Sequence, residues 1–141
     1  MTFDHNNKVV QLCVQGMDME GQGQPKKAIE LFLQAWSESA SDFEKFVAAH
    51  YVARHQKTVS DKLKWDQRAL QLALKINDNP IDDALPSLYL NIAKCYEDLG
   101  DLSMAKANYE LALANMHSLS DDGYRRMIES GVTCGLIRVS T

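Results

Sequence analysis

The sequence predicts an all-α chain of three antiparallel helix pairs and a C-terminal capping helix, and three observations carry that expectation. Residues Pro86 to Leu113 hold two amphipathic stripes hinged at Leu99-Gly100-Asp101: Leu88, Ile92, Cys95 and Leu99 recur at helical spacing, then Leu102, Ala105, Tyr109, Ala112 and Leu113 do the same. A similar order of large, small and aromatic residues stands near the start of the chain, in Leu12, Gly16, Met19, Gly23, Ala28, Phe32 and Ala35. Only three prolines and seven glycines interrupt the chain, mostly where turns are expected, so long segments are left to helix.

Taken in order, the first helix spans about Asn6 to Gln22 and ends at Gly21-Gln22-Gly23-Gln24. Pro25 suits the first turn of the second, where its missing amide proton is no loss, and that helix runs to about Ser39 through Ile29, Phe32, Leu33 and Trp36. Ser41 with Glu44 three residues on signals a capping box for the third, which carries Phe43, Phe46, Val47, Tyr51 and Val52 to near Gln56. A fourth opens near Ser60 and closes near Ile76. The run 77–85, NDNPIDDAL, reads as an acidic loop before the hinged pair. There Gly100 takes the left-handed conformation that reverses the chain, and Ala93 and Ala105 let the two axes approach. Ser118 to Asp122 is a polar turn. From about 121 to 139, Met127, Ile128, Gly131, Val132, Gly135, Leu136 and Val139 share one face, which predicts a capping helix despite two glycines that each cost about 1 kcal/mol. Gly131 and Gly135 lie one turn apart, suited to close contact with the last pair or to a dimer contact.

The spacing of Tyr89, Ile92, Ala93, Tyr96, Gly100, Ala105, Tyr109 and Ala112 resembles the tetratricopeptide repeat. Ala28 and Ala105 stand 77 residues apart (105 minus 28), two periods of about 34 plus the nine residues of the run 77–85. The resemblance therefore places repeats at about 9–40, 43–76 and 86–117 within a single domain, 1–141. The middle one departs most: His50 takes the small slot and Asp66 the aromatic one, whereas sliding by one puts Ala49 in the small slot and spoils the second helix. What the resemblance implies is a right-handed superhelix whose first helices line a concave groove, and a protein-protein interaction module that binds a peptide or helix there. The groove residues it implies are Met17 and Glu20 from the first pair, Val47, Tyr51, Arg54 and His55 from the second, and Leu90, Asn91, Lys94 and Glu97 from the third. Met17, Val47, Tyr51 and Leu90 would form an apolar floor, and the charged residues its rim.

Motifs for chemistry are thin. His50 and His55 are five residues apart, about 140° of helical rotation, and cannot share a metal as an i, i+4 pair could. No nucleophile elbow, Walker loop or dinucleotide fingerprint occurs. The sequence thus predicts no catalytic residues, no metal, no cofactor and no enzyme. The three cysteines, Cys13, Cys95 and Cys134, suit reduced core thiols. Without a leading apolar run or a membrane-length segment the chain is expected to be soluble and cytoplasmic, with no membrane partner.

Net charge is −4, but residues 42–68 hold six basic and four acidic side chains while 77–122 hold nine acidic and two basic. The acidic half opposes a phosphate backbone, so nucleic acid is not an expected partner. Two alternatives stand beside the protein-binding groove. In one, Arg54, His50 or His55, and Lys94 surround an anionic small molecule, with binding or catalysis in the same groove. In the other, the chain forms a homodimer through the groove or the C-terminal helix.

Overall fold

The computed structural model describes residues 4–76 and 79–140, and every regular element among them is helical. The elements are α1 (Lys8–Gly21), α2 (Pro25–Glu38), α3 (Asp42–Ala53), α4 (Val59–Lys75), α5 (Asn79–Asp82), α6 (Leu85–Asp98), α7 (Leu102–Ala114), a 3₁₀ turn (Met116–Ser118) and α8 (Gly123–Val139). The fold is an all-α helical repeat in which neighbouring helices pack, within two compact units, Thr2–Ile76 and Asn77–Thr141. The expected loop 77–85 needs correction: residues 79–82 form a helical turn and α6 already starts at Leu85. Pro80 and Pro86 each sit near the start of a helix, where proline is tolerated. Asn77 and Asp78, also in that run, lie outside the described residues.

Local chemistry sets the helix ends. Asn7 caps α1 by accepting from the Val10 amide at 3.1 Å. Ser41 and Glu44 form the expected capping box, with Ser41 Oγ accepting from the Glu44 amide at 3.1 Å and Glu44 Oε1 accepting from the Ser41 amide at 3.2 Å. Gly23 (φ 71°) and Gly100 (φ 85°) supply the left-handed residue that ends α1 and α6. At both ends the same bond closes the turn, Gln24 N–H to Met19 C=O and Asp101 N–H to Tyr96 C=O, each 2.9 Å.

In the amino-terminal unit α1 packs on α2, α3 on α4, and α3 also against α1 and α2. The core holds Ala28, Phe32 and Ala35 of α2, all fully buried, against Gly16 of α1, where a Cβ would overlap the Phe32 ring. In the carboxy-terminal unit Ala105, Tyr109 and Ala112 of α7 take the same places against Ala93 of α6, again fully buried. The α3/α4 pair follows the register with His50 and Asp66 in the small and aromatic slots. Asp66 and Ala69 are 1% and 0% exposed, 34 residues after Phe32 and Ala35 (66 minus 32, 69 minus 35). Lys62, where the other pairs have alanine, meets Asp66 at 2.6 Å, so a salt bridge replaces the apolar contact. In α8, Gly135 lies under the Tyr109 ring and Gly131 against Leu90. Both glycines therefore serve contact with α6 and α7.

Candidate partner-binding surface

The implied groove residues divide between the two units. In the amino-terminal unit two polar clusters pin α1 and α3 side by side and parallel. At their starts Asn7 Nδ2 donates to Glu44 Oε2 at 2.8 Å. The Ala40 amide, the Asn7 side chain and the Ser41 amide together hold the Glu44 carboxyl below its usual pKa. At their ends Glu20 lies between two partners, His55 Nε2 at 2.5 Å and Arg54 Nη2 at 3.2 Å. Arg54 keeps 45% of its side chain exposed and has its guanidinium 5.3 Å from the Tyr51 ring centre.

Behind this rim the expected floor is closed. Val47 and Tyr51 are 2% and 8% exposed, and Tyr51 stacks on Phe32 with ring centres 5.2 Å apart. The physical reason is position: α3 has α1, α2 and α4 around it, so most of its apolar side chains are packed. Burial raises the pKa of Tyr51 and pushes the Cys13 thiol up to about 12. What α1 leaves accessible is a stripe one face wide. Val14 is 38% exposed and Met17 half-buried, one turn apart, and the stripe leads to Glu20, Arg54 and His55. A shallow open depression lined by His5, Val10, Gln11, Val14 and Gln15 adjoins its start.

In the carboxy-terminal unit α8 covers much of the corresponding face of α6. Leu90 packs against the unit's core and faces Gly131. Glu97 accepts from Arg138 Nε at 2.7 Å and from the Tyr109 hydroxyl at 2.7 Å. Arg138 holds the Glu97 carboxyl below its usual range. Burial first, and then the bond to Glu97, push Tyr109 up to about 12. Asn91 stays half-buried, and Lys94 is exposed and paired with Asp98 at 2.7 Å.

The cations proposed to surround an anion are not gathered as a bare cradle. Arg54 and His55 both turn to Glu20, while His50 lies toward α4, under the charges of Asp66 and Lys62. Burial, followed by the Arg54 charge, lowers the pKa of His50. Among the described residues no group of three or more potential ligands could hold a metal, and no helix is long and apolar enough to cross a membrane.

A second cluster lies between α2 and α4. Trp36 of α2 meets Trp65 of α4 edge to face at 5.0 Å, with the exposed Arg68 guanidinium over both rings at 5.4 and 4.5 Å. The signal lies in the spacing: Trp36 follows the buried Ala35 by one residue and Arg68 precedes the buried Ala69 by one.

Residues 86–114, spanning α6 and α7, match the family model described as tetratricopeptide repeat. No curated protein and no solved structure matches the chain.

Proposed function

We propose that this chain, a repeat protein of the tetratricopeptide type, is a protein-protein interaction module that holds a peptide or helix of a partner, with no catalytic step of its own. The match of α6–α7 to that repeat carries the general reading. Support for the finer one comes from the amino-terminal unit, where the Val14 and Met17 stripe runs into the Glu20, Arg54 and His55 cluster. An apolar strip closed by a charged end suits a short amphipathic segment: its apolar side chains cover Met17, and an acidic group meets the exposed edge of Arg54. Val47 and Tyr51 support this seat from behind rather than touching the ligand. In the carboxy-terminal unit Asn91 and Lys94 are the groove residues left to contribute, since Leu90 and Glu97 are engaged by α8. On this proposal the two units serve one domain in the cytoplasm.

The test is affinity capture from native lysate with mass spectrometry, comparing the natural chain with Met17→Glu/Arg54→Glu. Each specific partner should be held at least about tenfold more weakly, equivalent to ~1.4 kcal/mol, under conditions in which both proteins are fully folded by circular dichroism. Equal capture by both proteins would overturn the groove. Tyr51 is unsuitable for this purpose because its ring is part of the core.

A further inference from the structure

We propose that the outer face of α4, together with Trp36 of α2, is a second binding surface, separate from the α1 stripe, and that it takes an acidic segment of a partner protein. Lys64, Arg68, Gln71 and Lys75 recur at spacings of four, three and four, so they share one face of α4, and all are exposed. Among the described residues Lys64, Arg68 and Lys75 have no carboxylate partner, whereas Arg54, Lys62, Arg125 and Arg138 each have one. Asp61 begins the same face, in the first turn, where the helix dipole favours an acid. From residue 64 to 75, about 16 Å of helix, the exposed charges of that face are all positive.

Arg68 is the cation held in place. Its guanidinium lies 4.5 Å from the Trp65 ring centre and 5.4 Å from that of Trp36, and the two indoles brace each other edge to face at 5.0 Å. A guanidinium confined over two rings loses little further freedom on binding and keeps N–H donors for a carboxylate. Both rings are half-buried, which leaves indole surface open beside the cation, and Leu33, one turn before Trp36, is 45% exposed.

Charge complementarity selects the occupant. Three cations over about 16 Å match carboxylates spread along about five extended residues, with an apolar side chain among them covering the indoles. They are too few to hold a phosphate backbone against a net charge of −4, so a protein segment fits where nucleic acid does not.

Trp36 and Trp65 are the two tryptophans of the chain, so its intrinsic emission reports this surface alone. Titrating the full chain at about 20 mM salt with a capped pentapeptide of four glutamates around a central leucine should give a saturable shift in emission, with affinity falling at least about threefold at 150 mM salt. Arg68→Lys keeps the charge but loses the planar fork, and should weaken binding at least about threefold. Lys64→Gln/Lys75→Gln leaves the indoles untouched and should weaken it about fivefold. Met17→Glu/Arg54→Glu should bind the peptide within about twofold of the natural chain at 150 mM salt, so that this surface and the groove fail separately. The proposal is overturned by no saturable shift, by an equal response to the glutamine counterpart of the peptide, or by tighter binding of oligothymidylate. A shift on concentrating the chain alone would make a second copy the occupant and overturn it as well.

Discussion

Gly135 lies directly beneath the ring of Tyr109, so closely that a Cβ at that position would overlap three ring carbons. The ring is fully buried, and its hydroxyl is fixed by Glu97 at 2.7 Å, which leaves it little room to move aside. Gly131, one turn earlier, differs: a Cβ there meets only the methyl end of Leu90, at 3.1 Å. Alanine in place of glycine favours a helix by about 1 kcal/mol, whereas overpacking a core costs ~1–3 kcal/mol. Gly135→Ala should therefore destabilise the carboxy-terminal unit by about 1–2 kcal/mol, while Gly131→Ala should be neutral or stabilising by up to ~1 kcal/mol. Amide exchange across α7 and α8 measures both. Equal effects would show that the ring can shift.

Glu97 gives that unit an acid-sensitive contact. Its folded-state pKa is depressed from the usual 4.5, so the folded chain binds this proton less readily than the unfolded one. The contact's contribution is complete above about pH 4.5 and is lost as pH falls through the lower folded value. Arg138 is half exposed, and solvent screening holds the contribution to about 1 kcal/mol. Glu97→Gln should reduce stability by that amount at pH 7 and by less near pH 3, below the unfolded-state pKa. Denaturant titrations at the two pH values read the difference.

The α3/α4 pair should respond sharply to the loss of one cation. Asp66 is 1% exposed and faces Lys62, itself one third exposed. Lys62→Met leaves the carboxylate short of its charge partner and should cost about 1–3 kcal/mol, followed through the emission of Trp36 and Trp65. Adding Asp66→Asn should recover part of that cost, because a neutral amide is cheaper to bury. Lys94→Met, at the exposed pair with Asp98, should change stability by less than ~0.5 kcal/mol.

The helices were legible wherever a local signal marks them. Ser41 with Glu44, Pro25, Gly23 and Gly100 fix ends through chemistry confined to one turn, and all four act as their sequence context suggests. The turn at 79–82 was hidden by Asp and Asn, which favour loops and helix starts alike. The site was less legible. Glu20, Arg54 and Glu97 look like rim charges from spacing alone, yet each is used to join parallel helices. The 77-residue echo of Glu20 in Glu97, with an arginine later in each unit, was the signal that could have revealed it. Val47 shows the other limit: helical periodicity tells which residues share a face but not how many neighbours surround the helix.

The three cysteines also differ in a way that makes the chain its own reporter. Two thiols are sealed inside helix contacts, and the one at position 13 is held so far toward the protonated form that it supplies almost no thiolate at neutral pH. Cys134 stands alone in solvent. A maleimide dye added to the native protein should settle on that single sulfur, giving a fluorophore at the outer edge of the last helix without any engineering, while labelling of the other two would time the opening of the interior.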